Sequence, residues 1–268
     1  MPVSLGAHSP KLDAVRALGD KAGRDAQGRF IVEGPTMLEE ALASGVAIEA
    51  VYATEAAYAK LGALAGRIEA ETFLVPERAL AKLSALETSP GILAVVGKPE
   101  AGLDELLERG GPVLLLAGIA DPGNAGTLLR SAEIFGVGAV VFGQPGVEPY
   151  NPKVVRASVG AIFRQAVARA GPEELAAAAR RAHYTVVAAT APDAEGVPLD
   201  RFRFVRRTIL AIGNERWGVP GWLEGWDAAV SIPQRGEGQS LNAATAGSII
   251  LYELMRQMDN SGLEPEKR

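Results

Sequence analysis

Apolar positions along this chain fall into short uninterrupted runs that alternate with longer stretches where they recur every third or fourth residue. Such runs read as strands, and the periodic stretches as helices with one face on a core. The pattern predicts a helix over Lys11–Leu18, a polar loop over Lys21–Arg29, and a short strand from Phe30 closed by Gly34-Pro35. Helices over Thr36–Ala43, Glu55–Leu64 and Pro76–Leu83 then alternate with strands over Ala50–Ala53, Thr72–Val75 and Gly91–Val96. The stretch Gly97–Gly111 has turn residues at both ends and charge between them, and reads as a linker.

A second α/β pattern begins at Pro112. Val113–Ile119 is apolar throughout, as in a parallel sheet covered on both faces. A helix over Ala125–Phe135 and a strand over Ala139–Phe142 follow, then a helix near Pro152–Val159 and a strand near Arg164–Ala168. Next come a helix over Pro172–Arg181, strands over Thr185–Ala189 and Thr208–Ile212, and an apolar run over Asp227–Ile232. The expected organisation is a smaller α/β domain over 1–98, a linker over 99–111 and a larger α/β domain over 112–268.

Composition narrows the chemistry. Cysteine is absent, which removes disulfides, thiolate metal sites and a cysteine nucleophile. The two histidines, His8 and His183, have no ligand-spaced partner, so no metal is expected. No apolar run reaches the roughly 20 residues that span a bilayer, and no targeting segment is read, so a cytoplasmic protein is expected. The net charge of −5 argues against indiscriminate nucleic-acid binding but leaves room for a local basic face.

Three loops follow predicted strands and should gather at the carboxyl edge of the second sheet, where open α/β sheets bind ligands. They are Asp121–Arg130, in which Asn124 or a neighbour can cap the helix, Ile212–Pro220, and the Gly-rich stretch after Ile232. In the last, Ser240 suits the N-cap of a long helix. The stretch is either an amide-lined pocket or a plain capped turn. Gly136-Val-Gly138 precedes its strand, so it does not fit a dinucleotide loop. There is no phosphate-binding loop, and Ser240 lacks a histidine partner for a hydrolase triad.

At these same residues the chain resembles the SpoU (TrmH-like) family of RNA ribose 2′-O-methyltransferases, of the SPOUT class. The matching segments are Asn124-x-Gly126-x-x-x-Arg130, Ile212-Gly-Asn-Glu215-x-x-Gly218, and Ser231-Ile-Pro through Ser240-Leu-Asn242. Phe30-Ile-Val-Glu-Gly resembles the small L30e-like RNA-binding domain that precedes the catalytic domain in many rRNA-modifying members. The resemblance implies a trefoil-knotted α/β domain that binds S-adenosylmethionine (SAM) through Thr190, Gly213, Ile232, Leu241 and Asn242. It implies catalytic roles for Arg130, Asn124, Glu215, Ser240 and Asn242, with Arg130 acting either as base or as anchor for phosphate and alkoxide. Where the family commonly has glycine, this chain has Arg216. Arg216, Trp217 and Gln234 either shape a different RNA pocket or are surface variants.

The expected substrate is therefore rRNA, because tRNA-specific members generally lack the first domain. A tRNA methyltransferase and a catalytically silent RNA-binding or ribosome-assembly factor are the alternatives. Basic residues are the candidate RNA contacts: Lys21, Arg24 and Arg29; Lys153, Arg156, Arg164 and Arg169; and Arg201, Arg203, Arg206 and Arg207 interleaved with Phe202 and Phe204. Each cluster alone reads equally as a solvated face. A homodimer is expected from the resemblance, and Ile250, Leu254 and Met258 form a stripe that suits either its interface or the core.

Overall fold

The computed structural model describes residues 2–99, 101–191, 196–214, 216–236 and 240–260. The chain divides into two compact units, 1–99 with 150–164, and 100–149 with 165–268. The first unit opens with β1 (Val3–Ser4), α1 (Pro10–Ala17) and α2 (Lys21–Gln27), followed by β2 (Arg29–Glu33) and α3 (Pro35–Ser44). It continues with β3 (Ile48–Ala53), α4 (Glu55–Lys60), a 3-10 turn (Gly62–Arg67), β4 (Glu71–Leu74), α5 (Glu77–Ala81) and β5 (Ile92–Gly97). The strands form one sheet in the order β1-β4-β3-β5-β2, antiparallel across β5 and parallel elsewhere. Leu12, Val15 and Leu18 of the first helix pack with Ile31, Phe73 and Leu93 in its core.

The expected loop over Lys21–Arg29 is instead mostly helix. Its end is set by Gly28, whose positive φ of 61° supplies the left-handed residue that closes α2. Its start is held by Arg24, which is 3% exposed and donates 2.8 Å hydrogen bonds to the carbonyls of Leu18 and Gly19. Those carbonyls at the end of α1 would otherwise lack helical partners. The polar character that suggested a loop is a buried cap.

The second unit runs through α6 (Leu103–Glu108), β6 (Val113–Ala117), α7 (Pro122–Ile134) and β7 (Ala139–Gly143). The chain then enters α8 (Pro152–Ala157) and α9 (Ala161–Arg164), which cluster with the first unit, and Tyr150 and Phe163 stack around Phe30. Arg164, expected in a strand, ends α9, and β8 spans Ala166–Ala170. After it come α10 (Pro172–Arg181), β9 (Thr185–Thr190), β10 (Val197–Pro198), β11 (Thr208–Gly213), β12 (Ala228–Ser231) and α11 (Ala243–Asn260). All seven strands are parallel, in the order β10-β12-β9-β11-β6-β7-β8.

Every residue of β6 and β7 is buried, as a parallel sheet covered on both faces requires. Leu103, Leu106 and Leu107 of α6 and Leu175 and Ala178 of α10 cover one face. On the other, α11 packs on α7 and β11, where Gly247 lets the helices approach: a Cβ there would lie 2.4 Å from Leu128 Cδ2. Ile250 and Leu254 are 1% exposed, so the expected stripe on this helix belongs to the core. Among the described residues no helix is long and apolar enough to cross a membrane.

Candidate active site at the carboxyl edge of the parallel sheet

The strand order places a switch point between β6 and β11. The chain leaves β6 toward β7 on one side and leaves β11 toward β12 on the other, so the two loops diverge and open a crevice at their carboxyl ends. The candidate loops converge there. Asp121 caps α7, its side chain accepting from the amide of Asn124 at 2.7 Å, and Pro122 follows in the first turn. The cap is thus Asp121, which frees the Asn124 side chain for other contacts.

Asn124 Oδ1 accepts a 3.0 Å hydrogen bond from Nδ2 of Asn242. Asn242 in turn caps α11, its Oδ1 accepting from the amides of Ala244 at 2.9 Å and Thr245 at 3.2 Å. The expectation that Ser240 caps this helix is therefore corrected. The helix begins only after Asn242, whose longer side chain satisfies the first-turn amides itself. Ser240 and Leu241 are exposed, and Ser240 makes no hydrogen bond among the described residues.

The loop after β11 reaches the same crevice. Asn214 Nδ2 donates to the carbonyl of Gly118, just past β6, at 3.2 Å. Its neighbour Gly213 has no space for a side chain, since a Cβ would lie 2.1 Å from the Gly218 carbonyl carbon and 2.2 Å from Val219 N. The loop folds back over that glycine, and no larger residue fits. Glu215, expected in the catalytic group, lies outside the described residues. Thr190 and Ile232 complete the edge: Thr190 pairs with Ser231 at the end of β9 and β12, and its hydroxyl faces the Val230 carbonyl at 3.4 Å.

Arg130 stands apart from the asparagine pair. It lies six residues beyond Asn124, about 9 Å along the helix axis, and is exposed with no hydrogen bond or ion pair among the described residues. A groove between α7 and α11 is lined by Thr127, Ala244, Thr245, Ser248, Ile249 and Tyr252, and Ser131 and Ser248 join the two helices by a 2.7 Å hydrogen bond.

Two of the basic clusters are partly tied down within the fold. In the first unit Arg24 is the buried cap, Lys21 pairs with Asp25, and Arg29 pairs with Glu49 at 2.6 Å. Hydrogen bonds from Lys21 and Lys98 hold the Asp25 carboxyl down to about 2. Phe202 is buried against Phe204, and Gln257 of α11 clamps their backbone, donating to Phe202 O and accepting from Phe204 N. The Phe202 ring is therefore structural, whereas Phe204 is half-buried. Lys153, Arg156, Arg201 and Arg206 are exposed.

Residues 111–252 match the model of the SpoU rRNA methylase family, more than half of the chain. The chain belongs to this family. Residues 9–94 match an MRM3-like substrate-binding domain. Among SpoU relatives, the Bacillus subtilis 23S rRNA (guanosine(2553)-2′-O)-methyltransferase RlmP is 30% identical over 92% of this chain and 97% of its own. The Streptomyces viridochromogenes SpoU methyltransferase AviRb, solved in complex with AdoMet, matches with a TM-score of 0.79 at 29% identity, covering 94% of this chain and 99% of that one. An AdoMet-bound rRNA methyltransferase from Sinorhizobium meliloti gives 0.79 at 25% identity, covering 95% and 98%.

Asn214 and Asp121, which position these loops, were not singled out from sequence. Asp121 carried a legible signal, an acid directly before Pro-Gly at a helix start. Asn214 lies inside the segment that resembles the second motif, but its contact could not be read, because its partner Gly118 is 96 positions away.

Proposed function

We propose that this protein is a SAM-dependent methyltransferase acting on the ribose 2′-hydroxyl of rRNA. The observation that carries the reading is the Asn124–Asn242 hydrogen bond, which joins the first and third motif loops at the switch point. The edge formed by Thr190, Gly213 and Ile232 suits the cofactor. Strand ends there leave backbone groups beyond their last sheet partner, and Leu241 adds an apolar side chain, a combination that fits a nucleoside better than a cluster of charge would. SAM supplies an electrophilic methyl on a sulfonium, which leaves as a neutral thioether.

The chain must then orient the ribose and stabilise the hydroxyl as it loses its proton. Arg130 is exposed and has no competing partner among the described residues, so its five donors are available to a phosphate or a developing alkoxide. We assign it as that anchor, with Asn124 and Asn242 orienting the substrate and Ser240 and Glu215 completing the group. Residues 1–98 are assigned to RNA binding, consistent with the match at 9–94. We further propose the trefoil path for β9, β11, β12 and α11, supported by the insertion of β11 between β6 and β9. A cytoplasmic homodimer is also proposed, paired through the exposed Ile134, Ile249 and Tyr252, and its mass at micromolar concentration checks it.

The test is single-turnover methylation of an unmodified 23S rRNA transcript, with SAM titrated separately. Arg130→Ala is expected to lose transfer while keeping SAM affinity. No transfer by the wild-type protein overturns the function, and near-normal transfer by the variant moves the anchor role to Ser240 or Glu215.

A further inference from the structure

Trp217 is 71% exposed, the most exposed of the large apolar side chains among the described residues. A lone surface leucine calls for no explanation. A tryptophan held out by a fastened turn does, because the described residues Asn214, Gly218, Val219 and Gly221 around it are tied down. Asn214 Oδ1 accepts from the amide of Arg216 at 2.9 Å, and Gly218 N donates back to Asn214 O at 2.8 Å. Gly218 has a φ of 61°, Val219 is fully buried, and Gly221 N donates to Trp217 O at 3.2 Å. Gly221 also packs under the tryptophan: a Cβ on it would lie 2.3 Å from Trp217 Cβ. Beyond it, Trp222 lies against Gly118 and Gly143 and donates from Nε1 to Gln144 O at 3.1 Å.

The same turn is fastened to the crevice by the Asn214–Gly118 hydrogen bond. Trp217 therefore projects from the loop that borders the methyl-transfer site, with the exposed Arg216 beside it. An indole already immobilised at its backbone loses little conformational freedom when a flat partner covers it. Single-stranded RNA offers such partners, since every base has a face to stack, and an adjacent guanidinium suits the phosphate that follows.

We propose that Trp217 is a base-stacking residue for the substrate RNA, holding an unstacked nucleobase at the target site, with Arg216 on the neighbouring phosphate. This rests on the RNA methyltransferase reading. The measurement uses the full-length protein and an unmodified 23S rRNA transcript, comparing wild type, Trp217→Ala and Trp217→Phe. Trp217→Ala is expected to raise the RNA concentration for half-maximal single-turnover methylation by about 5- to 160-fold, the range for loss of one base stack. Trp217→Phe should recover most of that loss, and SAM affinity and oligomeric mass should stay constant.

Methylation by Trp217→Ala at wild-type RNA concentrations overturns the stacking role and leaves the enzyme assignment intact. Weakened SAM binding in Trp217→Ala, or a change in its mass, also overturns it, by placing the ring against cofactor or a second copy. Failure of the wild-type protein to methylate any transcript overturns the enzyme reading itself, and the stacking role with it.

Discussion

The Asn242 side chain has two separable tasks, so its replacement gives a graded test. Its Oδ1 caps α11 through the amides of Ala244 and Thr245, and its Nδ2 bridges to Asn124. Asn242→Ala removes both. Loss of the cap costs about 1 kcal/mol, and loss of a neutral hydrogen bond about 1 kcal/mol more, so destabilisation of about 2 kcal/mol is expected. Asn242→Ser keeps a cap acceptor and loses only the bridge, and should cost about 1 kcal/mol or less. Denaturant unfolding reads the totals, and amide hydrogen exchange locates them. Ala244 and Thr245 should exchange faster in the alanine variant and near normally in the serine variant. Methyl transfer should fall in both, because both release the third motif from the first. A double-mutant cycle with Asn124→Ala should then show coupling of about 1 kcal/mol. Additive effects would mean that the two loops do not act together, and transfer retained by Asn242→Ser would remove the bridge from the mechanism.

Gly213→Ala should prevent the loop after β11 from closing, because the added carbon meets backbone at 2.1 Å and not a side chain that can turn away. Loss of SAM binding in a titration, with the first unit still folded by circular dichroism, is the expected result. Asp25→Asn should destabilise the first unit by about 1 kcal/mol at neutral pH, after allowance for solvent screening of a carboxylate that is one-third exposed. The Asp25 carboxyl is held at about 2, below its ordinary 3.8, by the hydrogen bonds from Lys21 and Lys98. Its contribution is therefore complete above about pH 5 and is lost as pH falls through 2. Urea titrations of the two proteins should converge near pH 2, and a constant gap across that range would refute the assignment.

The alternation of apolar runs and periodic stretches was enough to read two α/β patterns, and Val113–Ile119 announced a parallel sheet because both of its faces had to be apolar. The motif residues were legible only through the resemblance to the SpoU family: Asn124, Gly126 and Arg130 sit within two turns of one helix, and Gly213 opens the loop after β11. Local spacing could not say which residues meet. Asn242 reaches Asn124 across 118 positions, and Asn214 reaches Gly118 across 96, because β11 enters the sheet beside β6. Which polar side chains face water was equally hidden. Arg24 and Phe202 carry the composition of an RNA-binding surface, yet the first is buried over the end of α1 and the second is held under Gln257 of α11. Hydrophobic period depends only on neighbours along the chain, so it survives in sequence. Burial and partnership depend on where distant segments come to rest, which only the folded chain decides.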